Sequence, residues 1–323
     1  MSLHTSNDFL YLSDETLGAL GLAPSDVADA IETALHAKAS GHLHVTPKSA
    51  LMPGGGRYMM STLAVGEEGL TVLKTVTVSP DNPERDLPSI NGAILVLDAE
   101  TGLLRAVMGA NWITAHRTAA LSAVAARRLA DPASRTIAFV GCGVQARSHL
   151  AAFKDMFPLK RVIAFGRGAA NRDAFCDEAR AQGFDAVAAD SAETALREAD
   201  IVVTSVTLDY EIKPFLNAAW LKPNAFAAIT DLCIPWIDQS LDHFGTVVVD
   251  DLEQERQAPK PMLDASAIAG DLTDLVSDRI PPRVPDRPAA FAFRGIALGD
   301  YAAATLALHR AETTGAGQRI APE

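Results

Sequence analysis

The segment Arg135-Thr-Ile-Ala-Phe-Val-Gly-Cys-Gly-Val-Gln-Ala-Arg147 restricts the fold more than any other stretch of this chain. Thr136 to Val140 reads as a buried strand, and Gly141-x-Gly143-x-x-Ala146 reads as a tight turn that opens a helix. A dinucleotide pyrophosphate needs this order. One glycine makes the turn, the second lets the backbone approach the phosphates, and a small third residue lets helix pack on strand. The N–H groups at the helix start, with the helix dipole behind them, then face the anion. Gly141, Gly143, Val144, Gln145 and Ala146 are therefore the candidate cofactor contacts.

The rest of the chain supplies the context that such a turn requires. Downstream, the segments 137–140, 161–165, 186–188, 201–206, 226–229 and 246–249 read as strands, most of them separated by helical patterns. Alternation of this kind predicts a parallel sheet with right-handed crossovers, a Rossmann-type doubly wound α/β domain over 117–294. Upstream the character differs. Residues 23–39 open with a proline and Ser-Asp and continue at helical spacing, but 44–51, 57–63, 70–79, 91–97 and 103–108 are short, β-branched or alternating. They predict a mostly antiparallel sheet, with a hairpin turn over Asp98 to Gly102. An alanine-rich helix is expected over 115–130 and a proline-rich connector over 279–288, followed by a helix over 295–309. That last helix is expected to rejoin the first domain, giving a discontinuous α+β domain of 1–116 plus 295–323.

A chain of 323 residues has room for two such domains, and 48% hydrophobic with 21% charged residues is an ordinary globular composition. The net charge of −12 argues against a nucleic-acid or anionic-membrane surface, though not against a small anion held by local cations. Cys142, Cys176 and Cys233 have no C-x-x-C spacing, so neither a disulfide framework nor a zinc site is expected, and Cys142 reads as a small apolar filler. His42 and His44 alternate without a third ligand at metal spacing; no metal is expected. The N-terminus lacks a basic-then-apolar leader, and no apolar run reaches the roughly 18 residues of a membrane helix, so a cytoplasmic location is expected.

In NAD-selective sites an acid near the end of the second strand bonds the ribose 2′-hydroxyl. Here Val162-Ile-Ala-Phe165 is followed by Gly-Arg167-Gly-Ala-Ala-Asn-Arg172, with no acid before Asp173. Arginine suits a 2′-phosphate, so NADP is favoured through Arg167 and Arg172, with NAD as the alternative.

Three cations stand in otherwise apolar settings before the nucleotide domain. Lys74 lies mid-strand in Leu-Thr-Val-Leu-Lys-Thr-Val-Thr-Val. Arg117, with Thr114 read as an N-cap, is expected in the first turn of its helix, a good seat for a carboxylate. Lys48 in Val45-Thr-Pro-Lys48 is a weaker third member. Asp231 follows the apolar run 226–229, at the carboxyl edge of the sheet where ligands of open α/β folds bind. There it can hold a substrate ammonium or relay a proton. His116 neighbours Arg117, but successive helical residues diverge by about 100° and need not share a pocket.

Together these pieces resemble the ornithine cyclodeaminase/μ-crystallin family. The resemblance is carried by Gly56-Arg-Tyr-Met-Met60, Lys74-Thr-Val-Thr-Val-Ser-Pro-Asp-Asn-Pro83, Leu87-Pro-Ser-Ile-Asn-Gly92, Leu97-Asp-Ala-Glu-Thr-Gly102, Ile113-Thr-Ala-His-Arg-Thr-Ala-Ala120, the phosphate turn and Gly295-Ile-Ala-Leu-Gly-Asp-Tyr-Ala-Ala-Ala304. It implies a homodimer whose first domain is the substrate-binding and dimerisation domain, taking a small imino or amino acid. Lys74 and Arg117 would contact the substrate carboxylate, and Asp231 would work at the substrate nitrogen, making Lys74 and Asp231 the catalytic pair. It also implies Met60 and Lys48 on the substrate side, and Thr118, Ser205 and Gly295 on the cofactor side. Lysine at 48, where many members carry arginine, loses the bidentate fork, and His116 stands where the family has an apolar residue.

The activity expected from the resemblance is NAD(P)H-dependent reduction of a cyclic ketimine such as Δ1-pyrroline-2-carboxylate or Δ1-piperideine-2-carboxylate, giving L-proline or L-pipecolate. Ornithine cyclodeaminase with retained NAD is the alternative, and a non-catalytic NADPH-dependent binding protein a further one.

Overall fold

The computed structural model describes residues 8–207 and 211–321, so the leader reading of residues 1–7 lies outside them. The chain divides into two compact units: the described residues up to Arg117 together with those from Gly295 onward, and Thr118–Arg294.

In the first unit an eight-stranded sheet runs in the order Gln318–Ile320, Phe9–Leu12, Leu104–Gly109, Ile90–Asp98, Leu70–Val78, Arg57–Gly66 and Leu43–Val45, with Ser49–Gly54 also pairing Arg57–Gly66. Its neighbours are antiparallel except where Phe9–Leu12 joins Leu104–Gly109. The predicted single strand over 44–51 is instead two, interrupted at Thr46-Pro47-Lys48. Pro47 has no N–H to give to a ladder, which breaks the pairing there.

The helix Ala297–Thr314 packs on Leu43–Val45, Arg57–Gly66 and Leu70–Val78, and the helix Pro24–Ala39 packs on it in turn. Pro24 opens that second helix, the Asp26 carboxylate accepts the Ala23 N–H at 2.9 Å, and Val27, Ile31 and Leu35 bury one stripe. Each such fully buried aliphatic side chain contributes roughly 1.5–3 kcal/mol. Gly66 is a glycine because a Cβ there would strike the Tyr301 hydroxyl of the last helix.

The second unit is an all-parallel sheet in the order Asp185–Ala188, Arg161–Phe165, Thr136–Val140, Ile201–Thr204, Phe226–Ile229, Ala289–Ala292, Thr246–Val249 and Gly270–Asp271. Thr136–Val140 and Ile201–Thr204 lie side by side where the strand order reverses, the place where open α/β sheets take their ligands. The predicted Rossmann-type fold is present. Ala289–Ala292 was not predicted: Ala-Ala-Phe-Ala has no β-branched residue and follows a proline-rich connector, yet it is wholly buried between two other strands. Among the described residues no helix is long and apolar enough to cross a membrane.

Candidate active site

Register explains how Lys74 comes to be buried. On its strand Leu70, Val72, Lys74 and Val76 share the buried phase, and Thr62, Lys74, Ile94 and Met108 form one row across four strands. That row lies on the sheet face covered by the last helix, which carries Asp300. Lys74 Nζ donates to Asp300 Oδ1 at 2.5 Å, Arg117 Nε lies 3.0 Å from the same oxygen, and Thr62 Oγ1 donates to Oδ2 at 2.9 Å. None of the four residues exposes more than 4% of its surface.

The cluster therefore buries two cations against one carboxylate. Burial, then the Arg117 charge, draws the Lys74 ammonium down to about 7, against the pull of Asp300; Lys48 adds to the lowering. For Asp300 burial works the other way, but Lys74, Arg117 and the hydrogen bonds from Lys74 and Thr62 outweigh it and hold the carboxyl below its ordinary range. Two buried cationic side chains thus converge on a single carboxylate oxygen.

Arg117 does not stand where the spacing predicted. Its helix spans Ala110–Leu129, so Thr114 is interior rather than an N-cap and Arg117 lies past the second turn. The N-terminal seat for a carboxylate exists, but Asp14 fills it: its Oδ1 accepts the Trp112 N–H at 2.7 Å. An acid nearly a hundred residues away caps the helix, which no local motif could reveal. His116 stacks on Trp112 with ring centroids 4.1 Å apart, and its Nδ1 bonds the Trp112 carbonyl at 2.9 Å. Burial lowers its pKa. Lys48 is half-buried with Nζ 5.7 Å from the Tyr58 ring centre, and Met60 is half-buried on the strand that carries Thr62.

In the second unit the candidate cofactor residues gather at the carboxyl edge of the parallel sheet. Gly141 has φ +96°, and a Cβ on it would lie 2.5 Å from the Ser205 carbonyl oxygen. Gly143 caps the helix Val144–Phe153 without a side-chain cap bond, and a Cβ on it would meet open space. The Gln145 Oε1 is buried without a hydrogen-bond partner among the described residues, Ala146 is buried, and Val144 is 66% exposed at the helix start. This room, with an uncapped helix start beside it, fits a dinucleotide pyrophosphate.

One turn further, buried His149 bonds the Gln145 carbonyl at 2.7 Å through Nδ1 and the Ser122 hydroxyl at 3.0 Å through Nε2. Burial lowers it to about 4, so a neutral ring ties the long helix, where buried Thr118 lies, to the phosphate-turn helix. Cys142 is pushed up to about 11, chiefly by burial, as an inert thiol should be. Arg167 is exposed, whereas Arg172 is engaged by Asp173 at 2.8 Å. Gly295 has φ +101°.

Asp231 is buried directly after Phe226–Ile229. Its Oδ1 accepts from Thr204 Oγ1 at 3.0 Å and its Oδ2 from the Val206 N–H at 3.1 Å. Burial, only partly offset by these bonds, pushes it up to about 7. The next two residues, Leu232 and Cys233, have φ of 57° and 58°. Consecutive non-glycine residues in the left-handed region store strain of order 1–2 kcal/mol each, the kind of local conflict that gathers at working sites.

Asp300 was missed from the sequence. The signal was there: it is the single charged residue in the apolar stretch 295–308, the counterpart of a lysine alone in an apolar strand.

A model of the ornithine cyclodeaminase/mu-crystallin family matches residues 13–315. The mouse protein named ketimine reductase mu-crystallin is 32% identical over 252 residues, covering 77% of this chain and 78% of its own. The L-lysine cyclodeaminase of Streptomyces rapamycinicus is 31% identical over 264 residues, covering 78% and 75%. Among solved structures, an archaeal alanine dehydrogenase dimer with bound NAD superposes with a TM-score of 0.86 at 25% identity, covering 97% of this chain and 99% of that one.

Proposed function

The chain belongs to the ornithine cyclodeaminase/mu-crystallin family, and on that premise we propose that it is an NADPH-dependent reductase of imino acids, acting on a cyclic ketimine such as Δ1-pyrroline-2-carboxylate or Δ1-piperideine-2-carboxylate. One observation carries this reading. The buried Lys74–Arg117–Asp300 cluster brings two cationic side chains to one carboxylate oxygen, an arrangement suited to receiving the single carboxylate of such a substrate.

Lys74 and Arg117 take the carboxylate, which fixes the adjoining carbon–nitrogen bond and converts orientation into rate. Asp231, as carboxylate, stabilises the protonated imine and follows it to the amine. Gly141, Gly143 and the opening turn of the Val144–Phe153 helix hold the coenzyme pyrophosphate, while Thr118, Ser205 and Gly295 complete that side. The nicotinamide, when bound, supplies the hydride.

The two titrating groups set the pH response. Lys74 carries charge below about 7 and Asp231 carries charge above about 7. Activity therefore rises with pH as Asp231 ionises and falls as Lys74 discharges, a narrow bell centred near neutrality in kcat/KM. The deciding experiment follows NADPH absorbance with a panel of cyclic and linear imino acids over that range. Silence with every member of the panel ends this reading.

Cyclodeamination is the second reading, supported by the lysine cyclodeaminase relative at nearly the same identity. Ammonia released from ornithine or lysine without added reductant would put it first. Coenzyme choice speaks for net reduction: no acid follows the Arg161–Phe165 strand before Asp173, and the exposed Arg167 suits a 2′-phosphate. Arg167→Ser is expected to weaken NADPH about tenfold or more and leave NADH unchanged, read by fluorescence titration. Equal losses for both coenzymes would refute the assignment.

The protein works as a homodimer in this reading. On the sheet face away from the last helix, Leu63, Leu73, Leu95, Val107 and Tyr11 form an apolar row in register, Leu63 36% and Tyr11 44% exposed. A second copy covering that row accounts for so much apolar surface on one face. Leu73→Glu is expected to yield a monomer by light scattering, and a dimer surviving that change would place the interface elsewhere.

A further inference from the structure

Asp300 has no role in the mechanism above, yet both carboxylate-binding cations converge on it. One of its oxygens meets Lys74 Nζ at 2.5 Å and Arg117 Nε at 3.0 Å; the other accepts the Thr62 hydroxyl at 2.9 Å. Like charges held this close away from water repel strongly. A lysine can escape by losing its proton, whereas an arginine cannot.

The charged groups facing Lys74 are Arg117 on the long helix, Lys48 on the segment before the Ser49–Gly54 strand, and Asp300 on the last helix. The first two favour discharge; the third opposes it. Thr62 stands opposite Lys74 in the strand register and fixes the second Asp300 oxygen, so the carboxylate cannot rotate away from the ammonium.

We propose that Asp300 is a positioning residue that keeps Lys74 protonated and aimed beside Arg117, so that an incoming carboxylate meets two cations rather than one. This rests on the reading of Lys74 and Arg117 as the carboxylate grip. Asp300 itself touches no substrate in this account; its influence passes through Lys74. Grip is then strongest on the acid side of the Lys74 titration and weakens as pH rises through it.

The test labels lysine with 13C at Cε and follows the Lys74 resonance, identified by its loss in Lys74→Met, in the protein with NADP+ bound. Wild type should titrate near pH 7. Asp300→Asn should titrate roughly one to three pH units lower, and Asp300→Glu, which restores the charge, close to wild type. In parallel, the affinity for pyrrole-2-carboxylate, a planar and unreactive carboxylate, is measured over the same range. Its alkaline weakening should move with the resonance in Asp300→Asn.

An unmoved Lys74 titration in Asp300→Asn overturns the proposal, as does an affinity loss equal at every pH, the mark of a merely structural role. Should Asp300→Asn fail to fold, Thr62→Val decides, since it frees the second Asp300 oxygen: a lowered Lys74 titration supports the proposal and an unmoved one overturns it. The expected titrations with no binding of pyrrole-2-carboxylate to wild type at any pH would uphold the action of Asp300 on Lys74 and overturn the carboxylate grip instead.

Discussion

Lys74→Met is expected to abolish turnover while leaving the protein at least as stable as wild type. The ammonium is wholly buried and shares one oxygen of the Asp300 carboxylate with Arg117. Methionine has similar length and no charge, and Asp300 keeps both Arg117 and the Thr62 hydrogen bond. Replacing a buried charge by an apolar group of similar volume is neutral or stabilising when its former partner stays satisfied, as Asp300 does here through Arg117 and Thr62.

Activity moves the opposite way. On the proposed reading the variant loses one of two charge-assisted contacts to the substrate carboxylate, of order 1.5–3 kcal/mol, together with the orientation that it imposed. A fall in kcat/KM of about 10³-fold or more is expected. Steady-state kinetics beside a thermal melt reads both quantities. Turnover within tenfold of wild type, or a melting temperature lowered by more than about 5 °C, would contradict the argument. The expected pair of results would mark the cluster as a place where stability is given up for function.

Gly141→Ala should damage both fold and coenzyme binding, whereas Gly143→Ala should damage binding alone. At Gly141 the backbone has φ +96°, where an L side chain is strained, and its Cβ would lie 2.5 Å from the Ser205 carbonyl oxygen. That neighbour is backbone at the end of a central strand and cannot swing aside. Strain and overpacking together amount to about 3 kcal/mol, or a melting temperature lower by roughly 6–12 °C. The same displacement moves the turn that faces the pyrophosphate, so NADPH affinity should fall by about a hundredfold.

At Gly143 φ is negative and a Cβ would meet open space, so the protein alone should melt as wild type. The methyl group would, however, fill the room into which the phosphates come, as the second glycine of this turn exists to prevent. Calorimetry with and without NADPH separates the two variants. A Gly143→Ala protein that binds NADPH normally would remove the coenzyme from this turn.

Much of the site was legible because its signals are local. The phosphate turn is written in consecutive residues: a buried strand, a glycine forced by a positive φ, and a helix start. Lys74 was conspicuous because strand alternation placed it in phase with Leu70, Val72 and Val76, where a lysine needs a reason. Asp231 was placed by following an apolar strand to its carboxyl end. The parallel sheet followed from the alternation of strands and helices, and the antiparallel one from closely spaced turns.

What the chain's order could not disclose depends on groups far apart in it. Asp300 lies 226 residues from the lysine that it compensates, and no short-range pattern joins them. Asp14 caps a helix 98 residues away, which extended that helix past the expected Thr114 boundary and moved Arg117 into its interior. The strand Ala289–Ala292 is made a strand by the neighbours that bury it rather than by its own propensity. Backbone conformation is dictated over a few residues, so sequence alone determined the Gly141–Gly143 turn and the strand phase that buries Lys74. Compensation of a buried charge is a contact between whichever segments the fold brings together, so only the tertiary structure decided which carboxylate meets Lys74 and Arg117.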